Sequence, residues 1–212
     1  MIKAVLFDMD GTLGDTLPLI IRSFRAAIEP YAGRAVTDEE LIATFGPSEE
    51  ATIKALIPEH YDEGLAAYFQ SYKTLHAEYP NPFDGIGELL SYLKSKKIKL
   101  GLVTGKSAMG TKITLEWYGM ENVFDGIDTG SPEGLRKPQG LKKLLSQFGI
   151  EPQEAVYVGD TTTDILACRQ VGIPIISAAW SSMAETEKLK EMNPEYTIES
   201  VAAFSDYLKS II

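Results

Sequence analysis

Cysteine is almost missing from the sequence: the 212 residues contain one, Cys168. An internal disulfide is therefore excluded, and so is a zinc site built on paired cysteines. Histidine is nearly as scarce. His60 and His76 stand apart with no cysteine partners, which argues against a zinc centre and against a catalytic triad that uses histidine. Long apolar runs are absent, and nothing reaches the length of a membrane span. The first apolar stretch is cut short by Asp8 and Asp10, so it is not read as a secretory signal, and a cytoplasmic location is the default expectation. Basic residues are in the minority: 20 lysines and arginines face 30 aspartates and glutamates, for a net charge of −10. A nucleic-acid or anionic-membrane surface needs a basic patch, and neither partner is expected. A small anionic substrate is still allowed, because one metal ion or lysine reverses the field within a single cleft.

What is present is an ordinary globular composition, 44% hydrophobic and 24% charged, long enough for one core plus a small second domain. Ile2 to Phe7 reads as a short buried strand. From Leu17 to about Glu78 the pattern turns helical. Leu17, Ile20, Ile21, Phe24 and Ile28 share a helix face, Thr37 with Glu40 forms a capping box, Ser48 suits the next cap, and Leu65, Phe69 and Tyr72 mark another helix. At "YPNPFDG" (Tyr79 to Gly85) two prolines break the pattern. After it strands and helices alternate. Strands are expected at Ile98–Thr104, within "NVFDGI", at Ala155–Asp160, in "IPIISAA" and in "YTI". Helices are expected around Leu89, through "AMGTKITLEWYG", over Gln139–Phe148, in "ILACRQVG" and over Val201–Leu208. Gly119, Gly149 and Gly172 serve as stops.

Such alternation implies an α/β fold: a doubly wound, mostly parallel, Rossmann-like sheet with helices on both faces. A helical cap domain, residues 16–81, is inserted after the first strand, and residues 1–15 and 82–212 form the α/β core domain. In these sheets ligands bind beyond the carboxyl ends of the strands. Those ends carry Asp8 and Asp10 after the first strand, Thr104, Gly105 and Lys106 in "LGLVTGKS", and Asp160 with Asp164 in "AVYVGDTTTD". Lys137 is expected in a loop before a helix. In an extended segment residues i and i+2 point the same way, so Asp8 and Asp10 can share a site. Their mutual repulsion is relieved by a hard divalent cation, and oxygen-only ligands suit Mg²⁺. A carboxylate is also a nucleophile toward phosphorus. The second aspartate would protonate a leaving oxygen and later activate water. Lys137, the Thr104 hydroxyl and backbone N–H groups near Gly11 would stabilise the transferred charge.

"DMDGTL", "VTG", "RKP" and "GDTTTD", in that order, resemble the four motifs of the haloacid dehalogenase-like hydrolase superfamily, and the layout is similar to its phosphoglycolate phosphatase-like members. The resemblance implies a Mg²⁺-dependent phosphatase acting on a small phosphorylated metabolite through an aspartyl phosphate. Asp8 would be nucleophile and metal ligand. Asp10 would be the general acid/base, with its backbone carbonyl on the metal. Thr104 and Lys137 would bind the phosphoryl group, beside Gly11, Thr12 and Gly105. Asp160 would ligate Mg²⁺, and Asp164 would ligate through water or hold Lys137. The cap would close over the site, and "FGPSEE" falls where relatives place a loop facing it. Two positions depart from the pattern: Gly14 replaces a larger apolar residue, and Gly140 replaces a second proline after Lys137.

Other outcomes share these motifs. A phosphomutase returns the phosphoryl group to sugar, and a pyrophosphatase of the same superfamily splits an anhydride. A dehalogenase generally lacks the second aspartate. A phospho-aspartate signalling or binding protein would turn over little, and lacks the DxDGT turn and the cap. Asp160 and Asp164 also suit a helix N-terminus, a role compatible with metal binding. Lys106 is read equally as a turn residue or a site residue. His60, His76, Cys168, Trp117, Trp180 and the tyrosines of the helical segment are read as solvent or packing residues. Acidic clusters such as Asp38–Glu40 are read as solvated helix starts.

Overall fold

The computed structural model describes residues 1–212. Ala4–Phe7 forms β1 with all four side chains buried. A strand buried on both faces reads as a continuous apolar run, as expected in a parallel sheet covered by helices on each side. Along β1, Val5 and Phe7 face one core cluster with Leu89, Leu102, Val158 and Phe204, while Ala4 and Leu6 face another with Leu144, Tyr157 and Cys168. The remaining strands are β2 (Lys99–Val103), β3 (Gly126–Asp128), β4 (Ala155–Gly159), β5 (Ile175–Ala178) and β6 (Thr197–Ile198). All pairings are parallel, in the order β3-β2-β1-β4-β5-β6. The chain builds outward from β1 to β3 and then crosses back to set β4 on the other side of β1. That reversal opens a crevice at the carboxyl ends of β1 and β4. Phe7 lies level with both Leu102 and Val158, so the residues that follow all three strands emerge at one rim.

Helices α1 (Leu17–Ala32), α2 (Asp38–Ile42), α3 (Glu49–Leu56) and α4 (Tyr61–Leu75) occupy the segment between β1 and α5 (Ile86–Ser95), with no strand among them. Their apolar faces enclose a core of their own, built on Phe24, Ile28, Leu41, Ile53, Tyr68 and Tyr72, and Ile113 of α6 (Ala108–Tyr118) joins it from the sheet side. The capping box at Thr37 and Glu40 is formed in both directions. Ser48 occupies the N-cap of α3 without a side-chain bond there; its backbone N–H instead donates to the Ser131 carbonyl at 3.2 Å. His76 is buried, its Nδ1–H donating to Tyr79 O at 3.0 Å, its Nε2 3.3 Å from Thr114 Oγ1 and its ring stacked on Trp117, and His60 stacks on Tyr31.

The sheet side is completed by α7 (Lys137–Phe148), α8 (Thr162–Val171), α9 (Thr186–Met192) and α10 (Val201–Ile211). Three details differ from the sequence expectation. Lys137 opens α7 instead of lying in a loop, because Pro138 fits the first helical turn, where no N–H is needed. Gly140 is therefore inside that helix, and a Cβ there would meet Asp128 Oδ2 at 2.5 Å. The third strand is confined to Gly126–Asp128, and α9 has only one buried residue, Leu189, too little apolar periodicity to be seen in the sequence. Helices α6, α7 and α8 end at Gly119, Gly149 and Gly172 as expected. No helix is long and apolar enough to cross a membrane.

The loops after β2 and β3 meet backbone to backbone. Gly130 N–H donates to Lys106 O at 2.7 Å, and a Cβ on Gly130 would sit 1.8 Å from the Gly105 carbonyl oxygen. Backbone cannot rotate aside as a side chain can. Gly130→Ala is expected to lower unfolding free energy by about 1–3 kcal/mol, measured by urea denaturation.

Candidate active site

Asp8 leaves β1 with its N–H bonded to Val158 O at 2.8 Å, which ties it to β4. Met9 turns into the core, so Asp8 and Asp10 face the crevice together, as their spacing implies. The Lys137 ammonium lies 2.7 Å from Asp8 Oδ2 and 2.5 Å from Asp164 Oδ1. Asp8 Oδ1 is buried and has no hydrogen-bond partner. Burial pushes the Asp8 carboxyl up to about 6, with Lys137 pulling it down and the charges of Asp164 and Asp10 adding to the rise. Asp160 is raised well above the carboxylate range by burial and then by Asp8 and Asp164. Burial disfavours the Lys137 ammonium, but Asp164 and Asp8 outweigh it and hold the group above its ordinary value.

Asp8, Asp160 and Asp164 each offer a carboxylate oxygen, and these oxygens lie within 4.8 Å of one another. One lysine does not neutralise three buried carboxylates. The orphaned Asp8 oxygen and the all-oxygen donor set fit a hard divalent cation such as Mg²⁺. Asp164 is the most committed of the three. Its Oδ1 takes bonds from Lys137 and from the Tyr157 hydroxyl at 3.1 Å, and its Oδ2 takes the Thr161 N–H and hydroxyl in a capping box for α8. Holding Lys137 and capping the helix are thus one arrangement.

The turn after β1 fits tightly around this cluster. Gly11 has φ +75, and a Cβ there would lie 2.1 Å from Asp160 Oδ2; only glycine satisfies both conditions. The Thr12 hydroxyl donates to Asp160 Oδ1 at 3.4 Å, and its carbonyl accepts from Trp180 Nε1 at 3.1 Å. Trp180 packs on Phe204, so packing and turn support coincide. Thr104 is buried and its Oγ1 accepts the Lys106 N–H at 3.2 Å. Asp8, Asp10, Gly105, Lys137 and Asp160 line a cleft of about 450 Å³. Gly11, Thr12, Thr104 and Asp164 stand behind that wall. The space left by Gly14 is filled by Tyr118, whose hydroxyl would be 2.0 Å from a Cβ.

A second lysine joins the helical segment to the sheet. The Lys106 side chain is only 1% exposed and lies 3.2 Å from Asp10 Oδ2, 3.5 Å from Glu49 Oε1 and 4.5 Å from the centre of the Tyr72 ring. Burial opposes its charge, and Asp10, ahead of Tyr72, Tyr68 and Glu49, more than restores it. Glu49 also takes the Ser107 N–H at 2.6 Å. Asp10 is held from its other side by the Thr16 hydroxyl, 2.5 Å from Oδ1. Lys106 is thus buried at the cleft wall and is not an exposed turn residue. Glu49 belongs to "FGPSEE", the segment expected to face the site, and Phe45, Gly46, Pro47 and Glu49 do line the cleft; the sequence did not single out Glu49, one of two adjacent glutamates after a capping serine.

Carboxylates gathered at the switch point of a doubly wound sheet, with a lysine among them and a helical segment lining the far side of the cleft, mark an α/β hydrolase. The chain belongs to the haloacid dehalogenase-like hydrolase family, whose profile matches residues 5–178. It is 32% identical over 203 residues to the pyrophosphatase PpaX of Bacillus pumilus, covering 95% of this chain and 94% of that one. It is 29% identical over 207 residues to the pyrophosphatase PpaX of Halalkalibacterium halodurans, covering 97% and 96%. A solved haloacid dehalogenase-like family hydrolase from Streptococcus pneumoniae superposes with a TM-score of 0.78 at 27% identity, covering 98% of both chains.

Lys106→Met strands two carboxylates, and is expected to cost about 3–5 kcal/mol of stability. The double variant Lys106→Met with Glu49→Gln should recover part of that loss. Denaturant midpoints of the three proteins check both statements.

Proposed function

We propose that the protein is a Mg²⁺-dependent phosphatase that hydrolyses a small phosphorylated metabolite through an aspartyl phosphate on Asp8. The observation that carries this reading is the Asp8 carboxylate itself, one oxygen held by Lys137 at 2.7 Å and the other buried with no partner. In the first half-reaction an Asp8 oxygen forms a bond to phosphorus as the bond from phosphorus to the leaving oxygen breaks, and Asp10 gives that oxygen a proton. In the second, water attacks the phosphorus of the aspartyl phosphate, Asp10 takes the water proton, and the Asp8 carboxylate leaves.

Lys137 holds Asp8 and offsets charge on the phosphoryl oxygens. Thr104 accepts through its oxygen, so its own proton is free for a phosphoryl oxygen. The Gly105 backbone N–H is the remaining donor in this reading; those of Gly11 and Thr12 are taken inside the turn by Gly14 O at 2.9 Å and Met9 O at 3.3 Å. Asp8, Asp160, the Asp10 carbonyl and, directly or through water, Asp164 would hold Mg²⁺, which supplies positive charge that shields the attacking carboxylate from the anionic phosphoryl group. Residues 16–81 serve as the cap. Its loop already lies against the sheet side: a Cβ on Gly105 would lie 3.1 Å from Gly46 O, and closure of the cap over bound substrate would exclude water from the first transfer. Pyrophosphate hydrolysis is the second reading, favoured by the names of the relatives in Bacillus pumilus and Halalkalibacterium halodurans.

Asp8→Asn is expected to lower phosphate release by on the order of 10³-fold or more with an unchanged circular dichroism spectrum; near-normal turnover would remove Asp8 as nucleophile. Asp10→Asn should reduce kcat by about 10²–10⁴-fold for an alkyl ester, and by much less for an ester whose leaving group needs no proton. Chelation should silence the wild-type protein and added Mg²⁺ restore it; persistence of turnover in chelator would sink the metal assignment.

A further inference from the structure

Opposite the carboxylates the cleft changes character. Its wall there comes from the helical segment and is mostly apolar: Leu17, Ile20 and Phe24 of α1, and Phe45 between α2 and α3, with Glu49 and Thr52 of α3 its polar members. At the mouth three large apolar side chains remain in water although they border the cleft, Ile42 at 45%, Leu135 at 59% and Met183 at 37% exposure. Exposed apolar side chains scattered singly need no explanation, but three around one opening, continuous with an apolar wall, mark a binding surface.

The cations tell the same story. Only Lys106 and Lys137 line the cleft, and every other charged group on its walls is a carboxylate. Lys137 is already shared by Asp8 and Asp164, and Lys106 by Asp10 and Glu49. No arginine or lysine of the helical segment faces the cleft. Arg22 and Arg25 of α1 are spent on Glu78 and Asp38. A second phosphate or a carboxylate on the substrate would lose its water with no cation to receive it, beside Glu49. An uncharged hydrocarbon group would lose nothing and gain contact with Ile20 and Phe45.

From this charge and contact pattern we infer that the ester bound here carries an uncharged, largely apolar leaving group, and that compact dianions such as pyrophosphate or phosphoglycolate are poor substrates. The inference rests on the phosphatase reading and narrows it to a substrate class. It runs against the pyrophosphatase alternative.

The test measures kcat/KM of the full-length protein with Mg²⁺ on ethyl, butyl, hexyl and benzyl phosphate, and on phosphoglycolate and pyrophosphate. The alkyl alcohols differ little in acidity, so their series isolates contact from chemistry. Each methylene that reaches the apolar wall should raise kcat/KM by up to about fourfold, and hexyl phosphate should exceed ethyl phosphate at least about tenfold. Benzyl phosphate should exceed both compact anions by a similar factor. Phe45→Ala should shrink the hexyl-to-ethyl ratio. Leu135→Arg, at an exposed position where folding is not at stake, should raise turnover of pyrophosphate relative to benzyl phosphate. A flat alkyl series, or pyrophosphate or phosphoglycolate turned over as well as benzyl phosphate, overturns the inference and leaves hydrolysis standing. Release from none of these compounds overturns the phosphatase reading and this inference with it.

Discussion

Three carboxylates crowded at the ends of β1 and β4, with one ammonium among them, form the constraint on which the rest of this molecule is built. Lys137 reaches both Asp8 and Asp164, and removing its charge would leave the cluster without an internal cation. Much nearby structure serves to keep it in place. Pro138 starts α7 at the position that aims the lysine inward. The Tyr157 hydroxyl reaches from β4 to lie between two acceptors, the Val103 carbonyl at 2.9 Å and Asp164 Oδ1 at 3.1 Å, which share its one proton. The Gly11 turn lets the backbone pass against Asp160 without a Cβ between them. A packed shell of this kind holds a reactive carboxylate in one geometry, which is what electrostatic catalysis requires.

The second lysine solves a different problem. The helical segment meets α6 through Ile113, through Tyr72 and His76 at the Thr114 hydroxyl, and through His76 stacked on Trp117. Lys106 adds a buried ionic link, drawing Asp10 from the β1 turn and Glu49 from α3 to one point above Tyr72. Buried ion pairs contribute little net stability compared with apolar packing, but they are directional and tolerate no slippage. Placing such a link on Asp10 ties the position of the helices to the turn that follows β1. It also commits the one lysine on that side of the cleft to two carboxylates.

Much of this is legible in the sequence. Asp8, Asp10, Thr104, Lys137, Asp160 and Asp164 stand at or near strand ends that apolar runs make visible, and their order along the chain is specific. The capping box at Thr37 and the helix stops at Gly119, Gly149 and Gly172 depend on backbone chemistry within a few residues and are readable there. Glu49 is not. Its neighbour Glu50 has the same chemistry, and only the fold buries one of them against Lys106. The short helix Thr186–Met192 leaves no signal because it buries a single leucine. Thr12 is readable as part of a phosphate-facing turn, yet its side chain bonds Asp160, a partner 148 residues away.

The sequence by itself determined the parallel sheet, the helical segment after its first strand and the identity of the acidic cluster. Those follow from periodicity and from short-range spacing, which act over a few residues. Only the tertiary structure decided which carboxylate oxygen is left without a partner, how each lysine is shared, and that the wall facing the carboxylates is mostly apolar and free of unpaired cations. Charge pairing and burial depend on contacts between residues distant in the chain, and a net charge of −10 spread over 212 residues says nothing about which few of them meet in one cleft.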